Sequence, residues 1–238
     1  MLIVFRIIFL ALIFSACSQK KEAVPAKPLT KEEMIAVNID SLKRTARSCD
    51  MIVREGDDLI SAQIRFMNDK EKEYSHAGLI IERNGQKYVC HIAPGISPAD
   101  TIQYIPIDSF VDPKTNIKCA LYRFDLSDAE RDSIGRIIET YRQQDVRFDR
   151  RYDLNTTDKM YCTEMIYRAF KQATNNRIDP KLANIPKRMF NVLLKYFAQE
   201  KATPGILSKM KIVTVDNVYL VPQGSLVMAF PVKYFPGQ

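Results

Sequence analysis

The sequence predicts an α+β domain in which an antiparallel sheet packs against helices. Three observations carry this. Helix-like and strand-like stretches come in blocks, a helix, then strands, then helices, then strands, rather than in alternation. Two β-rich runs, "HAGLII" and "KYVCHI", flank "RNGQ", whose Asn84–Gly85 pair is the strongest short hairpin signal. With 46% hydrophobic residues over 238 positions, the chain can bury a core that needs no disulfides.

The first 16 residues, "MLIVFRIIFLALIFSA", are apolar apart from Arg6 and Ser15. The run is shorter than the roughly 20 residues of a spanning helix and suits a signal h-region. Small residues then precede Cys17, a site that resembles a bacterial lipobox. Residues 1–16 are therefore expected to be a signal peptide, Cys17 to carry lipid, and residues 17–29 to form a polar, proline-containing tether. Residues 30–238 remain as a single domain.

"LTKEEMIAVNIDSLKRTAR" should be a helix, because Thr30 and Glu33 have capping-box spacing and Met34, Ile35, Ile39 and Leu42 share a side. "DDLISAQI" reads as a strand after turn residues, and the hairpin follows. "TIQYIPIDSF" and "KCALYRF" read as further strands. "LSDAERDSIGRIIETYRQQ" opens with the Ser127–Glu130 capping box and shows Ile134, Ile137, Ile138 and Tyr141 on one face. In "MYCTEMIYRAF", apolar residues recur at Cys162, Met165, Ile166, Ala169 and Phe170, the stripe of an amphipathic helix. "IPKRMFNVLLKYFAQE" is a helix with Pro186 in its first turn, and "KIVTVDNVYLVPQGSLVMAF" returns to strands.

Net charge is +7, but the basic pairs Lys20–Lys21, Lys43–Arg44, Arg150–Arg151 and Lys187–Arg188 are scattered. They form no interleaved aromatic and basic face, so a nucleic-acid partner is not expected. "DRRYD" at 149–153 reads as an exposed charged loop. Cys49, Cys90, Cys119 and Cys162 have no C-x-x-C spacing, which gives no support for structural zinc, and no cofactor is expected.

Cys162 falls in the first turn of its helix, where free N–H groups and the helix dipole favour a thiolate. A thiol nucleophile needs a base and a group that orients it. The chain has two histidines, His76 and His91, and both lie in the hairpin. With Asn84 and Gly85 central in the turn, His76 opposes Ala93 and His91 opposes Gly78. The histidines are then diagonal neighbours on one sheet face, about 7–8 Å apart at the backbone and within reach of each other. The competing reading of the same three residues is a Cys–His–His metal site, which needs all three to close within about 2.0–2.3 Å of one ion.

"GDDLI" at 56–60, "SHAGLII" at 75–81 and "YCTEMIYRAF" at 161–170 together resemble the YiiX-like proteins, circularly permuted members of the NlpC-type papain-like superfamily. The likeness runs over roughly residues 50 to 230, with histidine before cysteine as in the permuted order. It implies a permuted papain-like fold with Cys162 as nucleophile at a helix N-terminus, His76 as base, and His91 where family members often carry glutamate. Tyr161 is a candidate for lining the site. The implied reaction is cleavage or transfer at an amide or ester through a thioester, on cell-wall peptide or a related amide. The alternatives are a lipid or N-acyl hydrolase or acyltransferase of the same fold, or a ligand-binding module without turnover. The expected location is the bacterial cell envelope, anchored in membrane through the lipid and facing the periplasm or exterior.

Overall fold

A computed structural model describes residues 27–95, 100–196 and 202–234. The expected signal run, Cys17 and all but the end of the tether lie outside the described residues.

Thr30 and Glu33 form the reciprocal cap, with Thr30 N–H donating to Glu33 Oε2 at 2.7 Å and Glu33 N–H to Thr30 Oγ1 at 3.1 Å. They open α1 (Lys31–Thr45), and β1 (Met51–Gly56) follows. "DDLISAQI", expected as a strand, is instead helix α2 (Leu59–Met67). Asp58 starts it by accepting the Ser61 N–H at 2.9 Å and the Ser61 hydroxyl at 2.6 Å, an Asp-x-x-Ser cap that the strand reading passed over.

The hairpin forms as expected from β2 (His76–Arg83) and β3 (Gln86–Ile92), with Asn84 at φ 52° and Gly85 at φ 72°. Its ladder pairs Leu79 with Cys90 through Arg83 with Gln86, the register read from the turn. β4 (Ile102–Pro106) ends at a proline, and the rest of the expected strand is the helical turn α3 (Ile107–Phe110). β5 (Asn116–Phe124) leads through the Ser127 cap into α4 (Asp128–Gln143). The short strands β6 (Arg147–Phe148) and β7 (Lys159–Met160) precede α5 (Cys162–Ala173).

β8 (Ala183–Asn184) follows, and Pro186 then leads into a 3₁₀ turn at Lys187–Met189 before α6 (Phe190–Tyr196), so the α-helix starts later than its sequence suggests. The chain continues through α7 (Pro204–Lys209), β9 (Lys211–Ile212), α8 (Val215–Tyr219) and β10 (Gly224–Pro231). The C-terminal stretch is thus not wholly strand. Asp216, fully buried in α8, accepts the N–H groups of Asp69, Lys70 and Glu71, so this segment is held by a distant loop rather than by a sheet.

The main sheet is antiparallel, in the order β10-β5-β1-β2-β3-β4. Alternating residues serve its two faces. On one face Met51, Val53, Ala77, Leu79, Cys90 and Ala120 pack against α4, α5 and α8. On the other, Ile52, Ile80, Val89 and Leu121 pack against Leu42 of α1 and Ile107 and Phe110 of α3. A third cluster joins Met67 of α2 to Met189, Leu193, Leu207 and Ile212. The cavity described next is lined from this third cluster and from the ends of β2 and α5.

Candidate active site

β2 and β3 bring the two histidines together. His76 Nε2 and His91 Nδ1 share a hydrogen bond of 2.9 Å, and both rings lie against Phe110, at centroid distances of 5.6 and 5.5 Å. They therefore share a sheet face, as the turn register requires. Gly78 permits the approach. A Cβ there would lie 2.4 Å from Val89 Cγ1, 3.0 Å from the Cys90 carbonyl oxygen and 3.3 Å from His91 Cβ, so a side chain would push β3 and His91 away.

Cys162 is the first residue of α5, and its residue is 9% exposed where Cys49, Cys90 and Cys119 are at 1% or less. The helix packs on the sheet face opposite the histidine rings. Within β2, Ile80 bonds to β1 through Asp50, so Leu79 and Ala77 present their backbone groups to β3. The ladder to β3 stops at Leu79. The Ala77 N–H beyond it points at the Cys162 sulfur instead, and the Thr163 and Cys162 N–H groups join it. Cys162 and His76 line one cavity. Burial pushes the thiol pKa up, while these three N–H groups and the Arg54 charge pull it down. Cys49, Cys90 and Cys119 are free thiols held by burial at about 11, 12 and 12.

Arg54 is the residue that sequence reasoning missed. It stands directly opposite His76 in the β1–β2 register and so shares its face. Its guanidinium lies 4.8 Å from the Phe110 ring centre and donates to the Phe110 carbonyl at 3.1 Å and Asn116 Oδ1 at 3.0 Å. Ser75 fixes the strand beside it, its N–H donating to the Arg54 carbonyl at 2.9 Å. Burial, then Arg54, lower both imidazoles: His76 to well below the ordinary value and His91 to about 4. Both rings are thus neutral near pH 7. The signal for Arg54 is present in "MIVREG", where a lone cation interrupts an apolar strand.

The residues that flank Cys162 have structural partners. Tyr161 lines the cavity, but its hydroxyl accepts the Val213 N–H at 2.7 Å. Glu164 is fully buried, paired with Arg168 at 2.7 Å and accepting the Tyr161 N–H at 3.4 Å. The "DRRYD" stretch is only partly the exposed loop expected. Asp149 is buried and accepts the N–H groups of Arg151 and Asp153, and Arg150 pairs with Asp100 at 2.7 Å at the cavity wall. The rest of the cavity is mostly apolar, with Ile60, Ile64, Met67, Met189, Val192 and Leu193 among its walls.

The fold is similar to a solved structure titled "Crystal structure of metalloprotein yiiX from Escherichia coli O157:H7, DUF1105". The TM-score is 0.60 at 19% identity, over 77% of this chain and 97% of the other, a likeness of fold. No curated protein matches the chain. A metal site is the competing reading of the same three residues. Among the described residues no three of His, Cys, Asp and Glu are grouped to hold one. His76 Nε2 and His91 Nδ1 face each other across a hydrogen bond, so these two atoms cannot both point at one ion. The Cys–His–His set as it stands does not fit metal coordination. A family profile described as "Permuted papain-like amidase enzyme, YaeF/YiiX, C92 family" matches residues 55–210, which span both histidines and Cys162. The chain belongs to this Peptidase_C92 family of cysteine hydrolases with the permuted papain-like fold.

Proposed function

We propose that the protein is a thiol amidase in which Cys162 is the nucleophile, His76 the base and His91 the group that orients it. The observation that carries this is the His76–His91 bond at Nε2, which leaves His76 Nδ1 as the ring nitrogen available to the thiol of the shared cavity. For Nδ1 to accept a proton, Nε2–H must donate to His91 Nδ1, and the His91 proton then sits on Nε2, a buried atom without a partner among the described residues.

The Cys162 proton passes to His76 as sulfur adds to the substrate carbonyl carbon. The oxyanion takes N–H groups at the start of α5, the amide of Cys162 among them. Collapse expels the amine, which leaves with the proton from His76, and a thioester remains. A water deprotonated by His76 then releases the acid and restores the thiol.

The apolar walls support a substrate whose acyl part is apolar, an N-acyl amide, over a charged wall peptide. The test is a panel of acyl amides of increasing chain length, lipid esters and wall-peptide fragments, offered to wild type and to Cys162→Ala. Acyl-amide hydrolysis by wild type alone is the expected result. Hydrolysis retained in Cys162→Ala overturns the proposal, and preference for wall fragments overturns the substrate assignment.

We also propose that the protein is a lipoprotein anchored in the cell envelope through Cys17, on the strength of the apolar run and the small residues before that cysteine. Cys17→Ala should release the protein from membrane fractions or block its processing. Recovery of the mature size in membrane would refute the assignment.

A further inference from the structure

Helix α2 is apolar on more than the side it buries. Ile60, Ile64 and Met67 line the cavity that holds Cys162. Yet Leu59 is 74% exposed, Ile60 is 65% exposed, and Phe66 is exposed near the other end of the helix. Packing against the domain accounts for one face of such a helix and leaves the rest in water. The exposed residues adjoin the cavity mouth. Ile60, Pro94, Arg150 and Tyr196 both line the cavity and are exposed, so they mark its opening.

The surroundings of this face are basic. The Arg188 guanidinium lies 5.5 Å from the Phe66 ring centre and donates to the Phe66 carbonyl at 3.1 Å. Lys187 precedes it, Lys195 precedes Tyr196, and Lys72 is close enough to feel the Arg188 charge. None of these four cations makes a salt bridge among the described residues. Of the nearby carboxylates, Asp57 is paired with Lys233, Asp58 caps α2, and Asp69 stands beside Lys72.

The N-terminal segment arrives at the same end of the sheet. Lys31, the first residue of α1, lies over the Tyr234 ring at 5.2 Å, and the adjacent Lys233 pairs with Asp57, two residues before Leu59. Cys17 precedes Lys27, the first described residue, by ten positions, which span at most about 36 Å. A lipid on Cys17 therefore keeps this end of the domain close to a bilayer.

We infer that the exposed face of α2 docks on an anionic lipid bilayer, with Leu59 and Ile60 entering the apolar boundary and Lys187, Arg188 and Lys195 meeting lipid phosphates. This rests on the lipid anchor at Cys17 and not on the reaction at Cys162. Docked in this way, the cavity opens on the membrane.

The chain contains no tryptophan, so Leu59→Trp and Leu226→Trp each carry a single reporter. Leu226 is 56% exposed on β10, paired with Tyr122 at the Met51 end of β1 and so at the far end of the sheet from α2. The full-length lipidated chain is placed on vesicles of phosphatidylethanolamine and phosphatidylglycerol, with and without bromine on the acyl chains. Brominated lipid should quench most of the Leu59→Trp emission and leave Leu226→Trp unchanged. Replacing phosphatidylglycerol by phosphatidylcholine should return part of the Leu59→Trp emission, as should adding Lys187→Ala and Lys195→Ala. If the chain floats with the vesicles and Leu59→Trp is not quenched, or both reporters are quenched alike, docking is overturned and the anchor stands. A Leu59→Trp blue shift that needs no vesicles and grows with protein concentration gives the face to a second copy of the chain and also overturns docking. If the chain does not float with the vesicles, the anchor reading falls and this inference falls with it.

Discussion

His76→Ala is expected to lower turnover of an acyl amide by about 10²–10⁴-fold, the usual contribution of a general base. The loss should approach that of Cys162→Ala, because base and nucleophile act as one unit and removing either disables both. His91 has a different task. In the proposed reading its 2.9 Å bond holds the His76 ring and leaves Nδ1 rather than Nε2 for the thiol. His91→Ala should leave measurable activity, and His91→Glu should keep more than His91→Ala. A carboxylate can accept the Nε2–H bond and also stabilises the imidazolium formed during acylation. Steady-state kinetics of the four variants on one substrate decide this. If His91→Ala is the more damaging change, the roles of base and orienter are reversed.

The second large effect concerns Arg54 and pH. Its charge opposes protonation of both histidines and favours the thiolate of Cys162. Removing it in Arg54→Met should raise both imidazole pKa values towards the ordinary value and raise the thiol pKa. The base must be neutral in the resting enzyme, so the acid limb of kcat/KM should move to higher pH. In wild type, ¹⁵N spectra of the imidazoles should show neutral rings down to pH 6, since His91 titrates only near 4 and His76 is also depressed. Arg54→Met also loses two charge-assisted hydrogen bonds, to the Phe110 carbonyl and to Asn116, each worth about 1.5–3 kcal/mol. Arg54→Lys separates the effects, because it keeps the charge without the planar fork. It should lower the Tm while holding the acid limb near wild type. Coincident pH profiles for wild type and Arg54→Met would remove Arg54 from the electrostatics of the site.

Whatever depended on neighbours in the chain was legible in the sequence. The caps at Thr30 and Ser127 are bonds between residues three apart. The Asn84–Gly85 turn sets the register of the strands it joins, and that register alone puts His76 and His91 on one face. The stripe that begins at Cys162 is a property of one helix. Two of the misread stretches are instructive for the same reason. At "DDLISAQI" a local cap was present and overlooked. At "TVDNVY" the deciding bonds come from Asn68 and from residues 69–71, some 145 positions away.

Tertiary structure decided the rest. Arg54 faces His76 because β1 pairs with β2 across an intervening helix, a register that no turn dictates. The Ala77 N–H reaches the thiol because the β2–β3 ladder stops one step short. Phe110 enters from α3, and the backbone of Val213 and Val215 is clamped by Tyr161, Thr163 and Asn68. Chemical identity and local periodicity named the thiol and both imidazoles. The charge that tunes them and the Ala77 amide that acts on the thiol arise from contacts between distant segments, which exist only once the sheet and its helices have packed.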